Sequence, residues 1–166
     1  MKKNNAARRC AVCGLLGALA LALSFLEGLL PPLPGIPPGA KPGLSNLTVL
    51  GAAEMLGLPY AFFIALLKGG FALISRGITP GVMSLAGGLL SAPVMWLVLR
   101  KTRFSPLFAG VCGALAHNAA QLAVALMLTG VAAWFYAPAM LLLSVVSGLL
   151  TGAVYMGIRR ALNAAK

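Results

Sequence analysis

Few side chains in this 166-residue chain are equipped for chemistry, and they fall into two groups. The first is Ala116-His117-Asn118-Ala-Ala-Gln121, three hydrogen-bonding side chains inside an apolar stretch. On a helix His117 and Gln121, four apart, share a face with Gly113, while Asn118 is turned by about 100°. Such groups are costly against lipid and face a bundle interior, either as interhelical bonds of about 0.6 kcal/mol each or as ligand contacts or proton carriers. The second group is charged: Glu27, Lys41, Lys68 and Arg76. Lys68 interrupts an apolar run, and three fates are open to it. It snorkels outward, pairs with Glu27 or Glu54, or holds an anionic ligand. If Lys41, Lys68, Arg76 and Glu27 meet on one side, the positive surplus favours a ligand with a carboxylate or phosphate.

What is missing narrows the chemistry further. The chain has no aspartate and two glutamates, Glu27 and Glu54. Magnesium chemistry needs several converging carboxylates, so Walker-type ATPase sites, hydrolytic carboxylate pairs and diphosphate-handling synthases are not expected. One histidine without aspartate supplies too few ligands for a metal, and no residue set calls for a cofactor. Cys10-Ala-Val-Cys13 has no second pair and reads as helix packing. No nucleotide-binding motif is present. The expectation is a protein without catalytic residues.

The elements that must position these side chains are membrane helices. Sixty per cent of the residues are hydrophobic and 9% are charged, more apolar surface than a soluble domain of this length can hide. Apolar runs cover residues 10–30, 44–58, 60–75, 81–99, 106–129 and 135–158. The second and third fall below the ~20 residues of a comfortable span, so these helices are short, tilted or extended by flanking residues. Turns are expected at Gly57 and Pro59, over 76–80, and around Gly130. A secretory leader is the weaker reading of the N-terminus, because its apolar run is long enough to span and lacks a small-residue cleavage site before Glu27.

The predicted architecture is an all-α integral membrane protein with six transmembrane helices. A basic cytoplasmic N-terminus (1–9) and tail (159–166) flank a single membrane domain (10–158). Ten of the thirteen Lys and Arg residues fall in the N-terminus, the loop after helix four and the C-terminus. The positive-inside rule then makes both termini cytoplasmic. The same dispersal between apolar runs argues against a nucleic-acid face, despite a net charge of +11.

The loop expected outside, residues 31–43, is rich in proline and glycine and leads through Ser45 to Asn46 at the start of helix two. Proline fixes φ and lacks an N–H, so this is a stiff extended segment. It is either a rigid linker or a lid over a polar pocket. Two stripes of small residues recur every four positions: Gly14, Ala18 and Ala22 in helix one, and Ser84, Gly88 and Ala92 in helix four. Such stripes admit a close helix partner. Gly88-Leu-Leu-Ser91 and Gly148-Leu-Leu-Thr151 echo one another over too few residues to define a repeat.

Glu27 with Pro31-Pro32, Lys41-x-Gly43-Leu44-Ser45-Asn46, Ser84-Leu-Ala-Gly-Gly88 and Ala116-His117-Asn118-x-x-Gln121 together resemble the bacterial Gx transporter family. That family is also labelled heptaprenyl diphosphate synthase component I, and it is similar to the substrate-binding S components of energy-coupling-factor (ECF) vitamin transporters. The resemblance covers roughly residues 10–160. It implies an S-component-like bundle in the bacterial cytoplasmic membrane, an outward pocket and a first loop acting as lid. Glu27, Lys41, Asn46, Lys68, Arg76, His117, Asn118 and Gln121 would bind a small molecule, anionic or vitamin-like. Gly14, Ala18 and Ala22 would meet a transmembrane coupling subunit, with separate ATPases supplying energy. The alternative is a non-catalytic membrane partner or scaffold for prenyl-diphosphate or quinone metabolism, or for an extracytoplasmic redox system. The synthase label fits the chemistry of this chain poorly, because prenyl diphosphate synthases rely on aspartate-rich metal motifs and the chain has no aspartate.

Overall fold

The computed structural model describes residues 2–31, 35–101 and 104–164, with side chains from residue 6 onward. Pro32 and Pro34 of the loop, and Arg103 and Lys166 of the basic clusters, lie outside the described residues, as do the side chains of Lys2 and Lys3. The described residues form α1 (Lys2–Leu29), α2 (Asn46–Met55), α3 (Leu58–Arg76), α4 (Ile78–Lys101), α5 (Pro106–Thr129), a 3-10 turn (Gly130–Tyr136) and α6 (Ala137–Ala164), without a strand. Four apolar helical stretches are long enough to cross a membrane: Ala6–Leu29, Leu58–Arg76, Ile78–Lys101 and Pro106–Ala164, the last holding both α5 and α6.

Burial is inverted relative to a water-soluble protein. Ile74 (88%), Met127 (85%) and Phe135 (88%) are among the exposed apolar side chains, whereas Glu27, Asn46, Lys68, His117 and Gln121 are buried. In lipid an apolar exterior is the solvated one, and polar groups must find partners inside.

The second apolar run becomes the ten-residue α2. At 1.5 Å per residue it is ~15 Å long, about half a hydrocarbon core. It touches all five of the other α-helices and buries Asn46, Thr48, Val49, Leu50, Gly51, Ala52 and Ala53. A half-length helix surrounded by others carries its polar first turn into the bundle, which a lipid-facing helix cannot do.

The turn expected over 76–80 contracts to Gly77, at φ +95°, a left-handed conformation that glycine adopts without a Cβ penalty. Pro80 falls in the first turn of α4, where a missing N–H leaves no intrahelical bond unmade. The turn near Gly130 lengthens into the 3-10 element. Helices α5 and α6 pack backbone to backbone: a Cβ on Gly148 would lie 2.5 Å from Val111 Cα, and one on Gly152 would lie 2.6 Å from Leu107 Cα. The echo between α4 and α6 has a local meaning, because Ser91 and Thr151 each return their hydroxyl to the carbonyl three residues back, Gly88 and Gly148.

The two small-residue stripes differ in fate. Ser84, Gly88 and Ala92 are buried, and a Cβ on Gly88 would sit 3.0 Å from Ala65 Cβ of α3. Gly14, Ala18 and Ala22 are exposed, with open space around Gly14. The buried face of α1 is instead Cys13, Gly17, Ala20, Ser24 and Glu27.

The proline-rich loop packs onto the ends of the bundle. Ala40 joins Met83 of α4, Ala125 of α5, Ala133 of the 3-10 turn and Met140 of α6 in a small apolar cluster. Cβ positions built on Gly35 and Gly39 would lie 3.0 Å from Ala139 and 3.2 Å from Pro80. The segment therefore rests on α4 and α6 as well as on its own flanking helices.

Candidate functional site

Beneath this loop four helices, α1, α2, α3 and α5, contribute side chains to one polar cluster, and α4 packs against it through Gly87. Glu27 projects from the buried face of α1, and its carboxylate accepts the Leu44 N–H and the Ser45 hydroxyl (2.8 Å). A carboxylate from one helix thus holds the last turn of the loop. Thr48 bonds back to the Ser45 carbonyl at 2.7 Å, stiffening the entry to α2.

Asn46, the first residue of α2, accepts the Lys68 ammonium of α3 at 2.5 Å. Lys68 is 1% exposed, so it does not snorkel. Among the described residues its ammonium has no carboxylate within ion-pair distance; the recorded pair is Glu54–Arg159, 3.3 Å apart, joining α2 to α6. Glu27 and Arg76 lie within electrostatic range of Lys68 without touching it.

On α5, His117 Nε2 and Gln121 Nε2 are 2.7 Å apart, and Gln121 Oε1 accepts the Lys41 N–H of the loop at 3.4 Å. That second bond orients the amide so that its NH2 donates to the imidazole, which accepts at Nε2 and is therefore neutral. The ring is wedged against α4: a Cβ on Gly87 would lie 2.4 Å from His117 Nδ1. From above it is covered by Gly43, at φ +81°, whose Cβ would meet Asn46 Nδ2 at 2.9 Å and His117 Cδ2 at 3.2 Å. A side chain here would strain the backbone and collide with two members of the cluster.

Arg76 closes α3 at the rim. It donates to Ser24 of α1 at 3.4 Å beside a cavity of about 140 Å³ lined by Ser24, Phe25, Gly28, Leu29, Ser75 and Arg76. Lys41 spans the loop to the Leu30 carbonyl at 2.9 Å. Its partial burial, and then Arg76, draw its pKa below the ordinary lysine value, while Glu27 opposes that shift.

Of the eight expected site residues, Glu27, Lys41, Asn46, Lys68, His117 and Gln121 are linked by contacts through the loop, and Arg76 stands at their edge. Asn118 is separate. It donates to Ser144 (2.8 Å) and to the Met140 carbonyl (3.3 Å) of α6, tying two helices together. Ser24, Ser45 and Gly87 belong to the arrangement and were not expected from sequence. Ser24 was legible as a member of the 13-17-20-24-27 spacing that ends on Glu27; Ser45 and Gly87 stand inside two of the motifs that carry the family resemblance, without having been singled out as site residues.

Apolar helices enclosing a sealed polar cluster under a packed loop define a multi-pass membrane protein, and its fold is that of a transporter S component. The solved structure of the S component of a bacterial ECF transporter matches 95% of this chain and 96% of its own, with a TM-score of 0.72 and 18% sequence identity. At that identity the likeness is one of fold. The family model for heptaprenyl diphosphate synthase component I matches residues 16–158, and the chain belongs to that family. No curated protein sequence matches it.

Proposed function

We propose that this protein is the substrate-capture subunit of a small-molecule uptake transporter of the ECF type and has no enzymatic activity of its own. The observation that carries the reading is the loop's attachment. Two independent polar contacts, Glu27 with Leu44 and Ser45, and Gln121 with Lys41, hold the segment over buried groups from α2, α3 and α5. Bonds of this kind can be released and re-formed as a substrate enters, whereas a purely apolar seal exposes hydrophobic surface on opening. The positive surplus around Glu27 suits an anionic or vitamin-like substrate.

On this reading the six apolar runs make six crossings of the bacterial cytoplasmic membrane, the second through the half-length α2 together with the loop leading into it. The charge asymmetry of the chain then puts both termini inside and the loop outside. In this orientation the exposed Gly14, Ala18 and Ala22 stripe is available to a transmembrane coupling subunit, with ATPases beyond it. The family's description favours a second reading, a non-catalytic partner of a prenyl diphosphate synthase.

Mass spectrometry of small molecules retained by the purified protein separates the two. A bound ligand that also protects the loop from protease supports capture. Co-purification with a synthase and an empty extract supports the second reading and retires the first.

A further inference from the structure

The geometry points to a substrate whose head group is a doubly charged oxyanion, a phosphate ester or a comparable dianion, received by Lys68 and Asn46 with Arg76 and Lys41 adding charge at the rim. The inference rests on the capture reading and adds the ligand's charge to it.

The unfilled hydrogen-bond positions of the cluster are mostly donors. The Lys68 ammonium has three N–H groups and spends one on Asn46 Oδ1. Asn46 Nδ2, and Nε and Nη1 of Arg76, are buried without partners among the described residues. Each of these acceptor atoms already has a donor: one carboxylate oxygen of Glu27 accepts from Leu44 and the other from Ser45, and His117 Nε2 accepts from the Gln121 amide. Buried donors without acceptors are costly in a low-dielectric interior, and ligand oxygens are what this set lacks. Arg76, about two helical turns along α3 from Lys68, adds further donors at the rim rather than acceptors.

Charge sets the number. Lys41, Lys68 and Arg76 stand against Glu27 alone, with His117 neutral, which leaves a surplus of two positive charges. A neutral or zwitterionic ligand leaves both in place, and a monoanion leaves one. A dianion balances the site. Glu27 is not free to be displaced toward these cations, because its two oxygens hold the loop. Its role is to latch the loop, and the ligand supplies the missing negative charge.

The test uses the full chain in detergent at pH 7, with sulfate and thiosulfate as dianionic probes and methanesulfonate as a monoanion with a similar tetrahedral face. Ionic strength is held constant, and affinity is read by titration calorimetry together with the thermal midpoint. The expected result is a dissociation constant at least about tenfold lower for the dianions. Lys68→Met should bring the two classes to within about twofold, and Lys68→Arg should keep the preference. A second measurement needs no variant: sulfate slows protease cleavage of the loop and methanesulfonate at equal ionic strength does not. Equal binding of both classes by the native chain overturns the inference, as does a preference that survives Lys68→Met. A retained ligand that is neutral or cationic also overturns it and leaves substrate capture standing. An empty extract, with no loop protection by any probe, removes the capture reading itself.

Discussion

Gly87→Ala places one methyl group where the structure has least room for it. Its Cβ would lie 2.4 Å from both Nδ1 and Cε1 of His117 and 2.9 Å from Cγ. Ordinary contact begins near 3.4 Å, so the ring must retreat by about 1 Å. It cannot do so freely, since Gly43 lies against its other edge and Gln121 holds Nε2 at 2.7 Å. A shift of that size takes the His117–Gln121 bond beyond hydrogen-bond range and loosens the Gln121 carbonyl that receives the loop. Overpacking costs about 1–3 kcal/mol and the lost bond about 1 kcal/mol, against a helix-propensity gain of up to ~1 kcal/mol for alanine over glycine. The expected net effect is therefore a destabilisation of about 1–3 kcal/mol, accompanied by faster proteolysis within residues 35–45. Gly70→Ala is the matched control. Nothing lies within 4 Å of its Cβ position, so it should be neutral or stabilising by up to ~1 kcal/mol with unchanged loop cleavage. Thermal unfolding and limited proteolysis of both variants in detergent provide the readout. If Gly87→Ala matches Gly70→Ala in both assays, the His117 wedge does not secure the loop and the reasoning fails.

Ser45→Ala removes one of the two loop contacts to Glu27; it should lower stability by about 1–3 kcal/mol and raise loop cleavage, and a loop unchanged in cleavage rate argues against a latch. Asn118→Ala should reduce the thermal midpoint while leaving affinity per folded molecule intact, since its bonds go to α6; a loss of affinity at constant stability would move it into the site. Ala18→Leu or Ala22→Leu should weaken association with a coupling subunit or transport without changing ligand affinity, and normal assembly of both variants would reduce the stripe to composition. Cysteine labelling tests orientation: Pro38→Cys, in an exposed part of the loop, should react from outside, and Lys101→Cys, at the exposed end of α4, only from inside. Reversed accessibility would overturn the proposed topology. Pro38 is preferable to Gly39, whose φ of +89° penalises any side chain.

Membrane residence and the all-helical fold could be read from composition and from apolar run length. These properties are sums over many residues and do not depend on which residue meets which. Helix α5 was legible to the residue at both ends, because Pro106 and Gly130 punctuate it locally. The pairing of His117 with Gln121 was equally local, a consequence of four-residue spacing on one helix. Other outcomes depended on neighbours distant in sequence. Lys68 had three open fates, and Asn46, 22 residues earlier in the chain, decided among them by burying the ammonium against its side-chain carbonyl. Glu27 and Glu54 look alike as lone carboxylates in apolar runs; one holds the loop and the other pairs with Arg159. The two small-residue stripes have the same spacing, yet one packs against α3 and the other is left open, because spacing specifies a helix face and only the bundle specifies what lies opposite it. The depth of α2 follows the same rule: a ten-residue, mostly apolar helix can lie at the surface, re-enter or be buried, and it is the surrounding helices, solvating its first polar turn, that make the buried placement the stable one.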